Sequence, residues 1–272
     1  MCGASRGVVS VLCIVRVAVA VAVAVCLFGG SARAGAFLLG EGETQIIAAG
    51  RFSGAAIEFD ARGRARPLPA YRKFELTARA EYGLTRDLTL IFQTGGEHVG
   101  SRAAPGARET GLAVSEIGAR ARLANPGDAV VSAQIVGLAP GTLGRIGFDE
   151  ARQAGFDARV LVGTPFTAFG VAGFAGLEGG YRARGGGLSE WRVETTLGWR
   201  FSERWLVLTQ AYFAAGRESA VSHRNFLRLK SEMSAVLRIN SRWSMQLGVG
   251  GATFGRNCAR EAGPFAAVWA RF

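Results

Sequence analysis

The residues of this chain best suited to chemistry are charged side chains that recur at every second position. Between Tyr71 and Phe92, for example, Lys73, Glu75 and Arg79 share one parity. Every second residue of an extended chain points to the same side, so each such stretch would carry a row of fixed charges on one face. Rows of fixed charges attract, pair or guide ions, but they supply no nucleophile.

Acid–base or nucleophilic catalysis at neutral pH would depend on the two histidines, His98 and His223. Ser222-His223-Arg224-Asn225 brings a hydroxyl, an imidazole and an amide together in sequence, and Glu97 precedes His98. Neighbouring residues of a strand point to opposite faces, however, so Ser222 and His223 share a site only if a loop folds back. A solvated histidine at a rim is the commoner case. We therefore predict no catalytic residues and no enzyme.

The charged rows lie on segments with the pattern of β-strands. In the stretch that begins at Lys73, the alternate positions are apolar, as at Phe74 and Leu76. The polar segment 83–87 interrupts this pattern, which then resumes from Leu88 to Phe92. Period two with a short polar break predicts an antiparallel hairpin with one apolar face and one charged face.

The same pattern recurs to the end of the chain and predicts about 12 strands, with no long amphipathic helix. Residues 35–43 would form a short lead before the first strand. We predict short turns at 83–87, 125–128, 164–166, 202–204 and 240–242, and longer loops at 54–70, 99–110, 140–153, 185–187, 217–225 and 253–263. Pro67 and Pro69 argue against a central strand in the first of these loops.

Residues 1–34 have the layout of a secretory signal peptide. Arg6 precedes an apolar run from Val8 to Phe28, and small residues around Ala34 form an Ala-x-Ala cleavage pattern. We predict cleavage near Ala34 and a single domain from 35 to 272. An uncleaved membrane anchor is the main alternative. Lipidation at Cys26 is less favoured, because a small residue normally precedes a lipidated cysteine.

Removal of the leader lowers the net charge from +11 to +8 and leaves Cys258 as the only cysteine. A single cysteine excludes an intrachain disulfide and a metal site built from clustered cysteines, and we predict neither a metal nor a cofactor. Almost all the cations are arginines, spread singly along the strands rather than gathered in a patch. Nucleic acid is therefore not a predicted partner.

The apolar faces could contact either a protein core or lipid, and four features favour lipid. The chain has a secretory leader, its short and long connections alternate, its apolar faces begin or end in aromatics, and it ends in Phe. The aromatics that we predict at the membrane interface are Tyr82, Trp199, Phe201, Trp205, Trp243 and Phe272.

Energetics then determines the architecture. An Arg or Lys facing lipid at mid-bilayer costs about 2–4 kcal/mol, so the charged faces must point inward. Unpaired strand edges cannot be solvated in hydrocarbon, so the first and last strands must pair. The sequence thus predicts an all-β fold, a closed antiparallel up-and-down transmembrane β-barrel of about 12 strands in the bacterial outer membrane, with the short turns on the periplasmic side.

Two stretches also resemble a known family. Val268-Trp269-Ala270-Arg271-Phe272 resembles the C-terminal recognition signal of proteobacterial outer-membrane β-barrels. Tyr82-Gly83-Leu84-Thr85-Arg86-Asp87-Leu88-Thr89-Leu90 resembles hairpins of small porin-like and transporter-like proteins, including the group related to the meta-pathway of phenol degradation. The resemblance implies contact with outer-membrane lipid and lipopolysaccharide, and assembly by the barrel-assembly machinery through Phe272. It names no substrate.

Charged side chains of the inward face are the candidate site. The predicted lumen-lining residues are Lys73, Glu75, Arg79, Glu81, Glu116, Arg120, Arg122, Asp157, Arg159, Glu178, Arg192, Glu194, Arg200, Lys230, Glu232 and Arg238. Cations outnumber acids on this face, which predicts a narrow porin or transporter for small, anionic solutes. Known twelve-stranded porins for acidic oligosaccharides also have Arg-lined lumens, so the resemblance points the same way.

Two other interpretations stay open. Opposite charges are neighbours on many strands, so they could pair and fill a narrow interior that conducts little. Alternatively, the barrel could serve as an anchor or adhesin, with Arg62, Arg64 and Arg66 meeting a polyanion such as lipopolysaccharide.

Overall fold

A computed structural model of the chain describes residues 36–101, 108–142, 153–217 and 225–272, so the predicted leader lies outside it. Within these ranges no helix is long and apolar enough to cross a membrane. The strands are β1 Thr44–Phe59, β2 Ala65–Thr85, β3 Leu88–Ser101, β4 Arg108–Leu112, β5 Ser115–Ala124, β6 Val130–Ala139, β7 Gly155–Ala168, β8 Val171–Arg184, β9 Leu188–Arg200, β10 Trp205–Arg217, β11 Asn225–Arg238, β12 Trp243–Arg256, β13 Cys258–Ala259 and β14 Ala262–Arg271. A single 3₁₀ turn, Gly185–Gly187, joins β8 to β9.

Twelve of these strands form a closed antiparallel barrel, as the sequence predicted. Each strand pairs with its neighbours in sequence, and β14 pairs with β1 from Gln45↔Arg271 to Gly54↔Ala262. The two remaining strands are extensions: β4 continues β5 along β3, and β13 continues β14 along β1. Closure leaves the central part of the sheet without a free edge.

The two faces of the wall differ as period two requires. On β2, Phe74 and Leu76 are exposed to 48% and 56%. The side chain of Lys73, which points to the opposite face, is exposed to only 11%. Large apolar side chains cover the outer surface of the other strands too. The outer surface is therefore apolar and the inner surface carries most of the charge.

Four of the five predicted short turns are confirmed, and all of them lie at one end of the barrel, called here the turn end. The prediction for 164–166 was wrong, because β7 continues to Ala168 and the chain turns at Phe169 and Gly170, with φ of 54° and 73°. Pairing of β7 with β6 stops at Gly163. Beyond that point one edge of β7 is not paired with β6, so the missing N–H of Pro165 interrupts no hydrogen bond between these strands.

The opposite end, called here the loop end, is built from longer hairpins than the sequence predicted. The predicted loop 54–70 is mostly strand, with its turn at 60–64, and 253–263 contains the end of β12 and all of β13. Pro67 and Pro69 are accommodated because, among the described residues, β2 pairs with β3 only from Tyr71 onward, and before that residue it pairs with β1 alone. Parts of the loops at 99–110, 140–153 and 217–225 lie outside the described residues.

Asp60 organises the turn at 60–64. One carboxylate oxygen accepts hydrogen bonds from the backbone N–H groups of Arg62 and Arg64, at 2.8 and 2.9 Å. Donation from Arg64, above all, holds the pKa of Asp60 below its ordinary value. An ionised aspartate therefore suits this turn across the neutral range.

Residues 36–40, the N-terminal segment, fold into the barrel at the turn end, whereas we predicted a short periplasmic lead at residues 35–43. Ala36, Leu38 and Leu39 are exposed to only 1%, 6% and 5%. Leu39 donates its N–H to the Thr89 hydroxyl at 3.3 Å, and the Ser132 hydroxyl donates to the Ala36 carbonyl at 3.0 Å. The apolar character of the segment explains its position, because the interior shields it from water.

Candidate functional site

Asp157 is the centre of a charged network inside the barrel. Its side chain is fully buried and accepts hydrogen bonds from Arg159 at 2.6 Å, Arg182 at 2.7 Å and Arg192 at 3.2 Å. Three guanidinium groups thus share one carboxylate. A buried carboxylate is stable only when it is paired in this way.

Other acids complete the network, which we call the central belt. Arg182 also reaches Glu116 at 2.7 Å, and Arg159 reaches Glu194 at 2.9 Å. On the neighbouring wall, Arg120 lies 3.4 Å from Glu81. The belt comprises Arg79, Glu81, Glu116, Arg120, Asp157, Arg159, Glu178, Arg182, Glu190, Arg192 and Glu194.

A second cluster lies nearer the loop end. Arg51 contacts Glu232 at 2.7 Å and stacks over the Phe265 ring at 4.6 Å, and Lys230 contacts Glu232 at 3.0 Å. Lys73 lies 3.1 Å from Glu75 and 3.8 Å from Glu261. Neither Arg51 nor Glu261 was among the predicted lumen residues. Arg51 has the inward parity of Gln45 and Ala49, but the weak alternation of β1 concealed it.

The remaining predicted lumen residues lie at the turn end. Arg122 donates to the Arg86 carbonyl at 3.1 Å, and Arg238 lies 3.8 Å from Glu203. Arg200 lines the mouth of a cavity. The predicted set is therefore divided among the belt, the loop-end cluster and the turn-end rim, and its role in a water-filled path stays a prediction.

A cavity of about 1220 Å³ occupies the half of the barrel nearer the turn end. It opens among turn residues such as Ser202 and Arg242 and extends inward to Arg159, Glu194 and Tyr212. Asp157, at the heart of the belt, does not line it. The cavity is thus a vestibule whose inner part is lined by residues of the central belt, such as Arg159 and Glu194.

One wall of the vestibule is apolar, which the sequence analysis did not predict. Phe174, Leu208 and Val236 form a buried cluster against which the side chains of Phe37, Leu206 and Trp269 pack. We call Phe174, Leu206, Leu208, Val236 and Trp269 the inner patch. A side chain at Gly198 would overlap the Phe174 ring, so this glycine lets the ring lie flat on the wall.

The predicted interface aromatics lie at the turn end on the outer surface, and Trp205 also borders the mouth of the vestibule. The rings of Trp243 and Phe272 meet edge to face at 6.3 Å, and Trp199 meets Phe166 at 4.8 Å. Tyr82, Phe201 and Trp205 are exposed. Their contact with a membrane stays a prediction.

A second aromatic group, at the loop end, was missed. Trp191 is exposed on the outer surface and its ring lies 4.9 Å from that of Tyr181. Trp191 and Trp199 are eight residues apart on β9, which is about 27 Å along a strand and about 20 Å along the axis of a barrel with tilted strands. That spacing approaches the height of the apolar band of outer-membrane barrels.

Of the residues considered for catalysis, the structure describes Glu97 and His98, which point to opposite sides of the wall. His98 points outward, where its Nδ1 lies 2.6 Å from the Thr110 hydroxyl, whereas Glu97 points inward. Ser222 and His223 lie outside the described residues. In the part of the chain that the structure describes, no three His, Cys, Asp or Glu side chains are placed to hold a metal ion.

No family model and no curated protein matches the chain, but solved structures match its fold. The COG4313 outer membrane channel from Pseudomonas putida F1 has a TM-score of 0.70 at 12% identity, over 89% of this chain and all of the other. The KdgM porin has a TM-score of 0.51 at 9% identity, over 84% of this chain and 99% of the other.

At these identities the likeness concerns the fold alone. The chain has the fold of outer-membrane β-barrel channels and porins.

Proposed function

We propose that this chain is a narrow outer-membrane channel for small anionic solutes. The observation that carries the proposal is a closed barrel with an apolar exterior, a charged interior and a vestibule with arginines at its mouth. A chain with this distribution of polarity fits a bilayer outside and an aqueous path inside. The residues predicted to line that path are those of the belt, the loop-end cluster and the rim.

Anion preference is supported by the charges at the mouth. Arg200, Arg204 and Arg242 line the vestibule and have no ion-pair partner among the described residues. Free guanidinium groups raise the local concentration of anions and repel cations.

The proposed placement rests on the two aromatic groups and on the secretory leader. The turn end would face the periplasm and the loop end the outside, where Arg62, Arg64 and Arg66 could meet lipopolysaccharide. Phe272 would serve as the contact for the barrel-assembly machinery. All of these partners are part of the proposal.

Planar-bilayer recording of the chain without residues 1–34 tests the proposal. We expect stable single-channel steps and, in a salt gradient, a reversal potential displaced toward that of the anion. The triple variant R200Q/R204Q/R242Q should lose several-fold in anion preference, because one charge contributes about 1 kcal/mol at contact distance in water. R66Q, which removes a charge from an exposed pair at the loop end, is the matched control.

A non-conducting anchor is the second candidate. The many ion pairs of the central belt favour it, because paired charges can fill a narrow interior. Folded barrels that give no steps in any salt, with or without the arginine variants, would establish this candidate over the channel. Steps with no ion preference would instead retain the channel and remove its anionic specificity.

A further inference from the structure

We propose that the inner patch and the arginines beside it form a binding site for an amphipathic monoanion, and that Phe37 occupies its apolar part when no solute is bound. The proposed solute has one carboxylate-like head and an apolar end of roughly the size of a phenyl ring. This inference deepens the proposed function, on which it rests, by naming the class of solute.

The apolar half of the site is defined by what now fills it. Phe37 packs against Phe174, Leu208 and Val236 from inside the barrel. Apolar side chains on the inner face of a water-filled barrel are unfavourable unless something apolar covers them. The chain's own phenyl ring does so here, and it shows the size and polarity of the group that the patch accepts.

The arginines that would bind the anionic head of the solute lie closer to the mouth than the inner patch does. Arg200 pairs in register with Leu206, and Leu206 pairs with Val236. Arg238 is the next inward residue after Val236 on β11, or about 7 Å along the strand. A head group at the mouth can thus contact a guanidinium while its apolar end lies on the patch.

These arginines are available to a ligand. Arg200 has no ion-pair partner among the described residues. The partner of Arg238 is Glu203, 3.8 Å away, and both side chains are largely exposed. Exposed pairs of this kind contribute about 0–1 kcal/mol, so a bound carboxylate can replace Glu203 at little cost.

The N-terminal segment is held by contacts that a competitor can break. Two hydrogen bonds with wall side chains, Thr89 and Ser132, hold it inside the barrel. Gly40 also exchanges hydrogen bonds with Glu43, and Phe37 adds apolar packing. A solute with an apolar end competes with Phe37 for the same surface. Binding of the solute and release of the segment are then linked, so that each favours the other.

Calorimetric titration of the folded barrel in a non-ionic detergent provides the test, with octanoate as the ligand and octanol and acetate as references. We expect octanoate to bind more tightly than either reference. Phe37→Ala should tighten octanoate binding about tenfold by removing the competitor. Leu208→Asn should abolish binding, R200Q/R238Q should reduce octanoate to the level of octanol, and R66Q should change nothing.

A second measurement reports the segment itself. In a C258S background, L39C should react slowly with a water-soluble maleimide, because Leu39 is buried, and several-fold faster with octanoate present. Absence of octanoate binding to both the native chain and Phe37→Ala would overturn the site. If bilayer currents persist in that case, the channel stands without the site; if currents and binding both fail, the proposed function fails with it.

Discussion

A single carboxylate, that of Asp157, holds together part of the central belt. Three arginines from three strands converge on it, and no water-exposed surface is left on its side chain. Loss of this carboxylate's charge removes one counter-ion from all three buried guanidinium groups at once, although Arg182 keeps Glu116, and Arg159 and Arg192 keep Glu194.

Asp157→Asn should therefore destabilise the barrel by about 3 kcal/mol and increase its anion preference, because three guanidinium groups lose their shared negative charge. The midpoint of urea unfolding measures the first effect and the reversal potential in a salt gradient measures the second. Asp87→Asn removes the same charge from an exposed pair with Arg122 and should change stability by less than about 1 kcal/mol. Equal losses in the two variants would show that the belt is not a cohesive network.

At the scale of elements, the N-terminal segment lies in the vestibule, which Phe37, Leu38 and Leu39 help to line. The segment lies beside Gly83 at the turn end, and just after it the N–H of Gly42 donates to the Gly83 carbonyl at 2.8 Å. A methyl group at Gly83 would overlap the carbonyl oxygen of Gly40. The segment can hold its position only because residue 83 has no side chain.

Gly83→Ala should displace the N-terminal segment, raise the single-channel conductance and speed the reaction of L39C with maleimide. Gly179→Ala is the matched control, since a methyl group there meets no atom within 4 Å. A Gly83→Ala variant with native conductance and native labelling would mean that the segment does not narrow the path.

At the scale of the whole molecule, the direction in which each face points distinguishes a membrane barrel from a soluble one. Val160 lies on the outer surface, midway along β7, and is exposed to 53%. Thr196 faces inward and lines the vestibule.

Val160→Arg should lower the stability of the barrel in lipid by about 2–4 kcal/mol, because the charge enters hydrocarbon. Thr196→Arg adds the same side chain to the wet interior and should cost about 1 kcal/mol or less. Urea unfolding in lipid vesicles gives the stability, and the fraction of unheated protein with altered gel migration gives the folded yield. If Thr196→Arg proves the more damaging change, the assignment of faces is reversed.

Local periodicity predicted the strands, their facing and four of the five short turns. It underestimated the length of the strands at the loop end. Pro67 and Pro69 would interrupt a strand that is paired on both edges, but among the described residues β2 is paired there with β1 alone. Whether an edge is paired depends on where the neighbouring strand ends, and no local pattern contains that information.

The sequence by itself determined that this chain forms a closed all-β barrel with charge on its inner wall, because period two and the cost of charge in lipid act on neighbouring residues. Only the tertiary structure decided which charges meet. Arg182 and Glu116 are 66 positions apart, and strand register and closure of the sheet bring them to one height. The same closure encloses the N-terminal segment and covers the inner patch with Phe37.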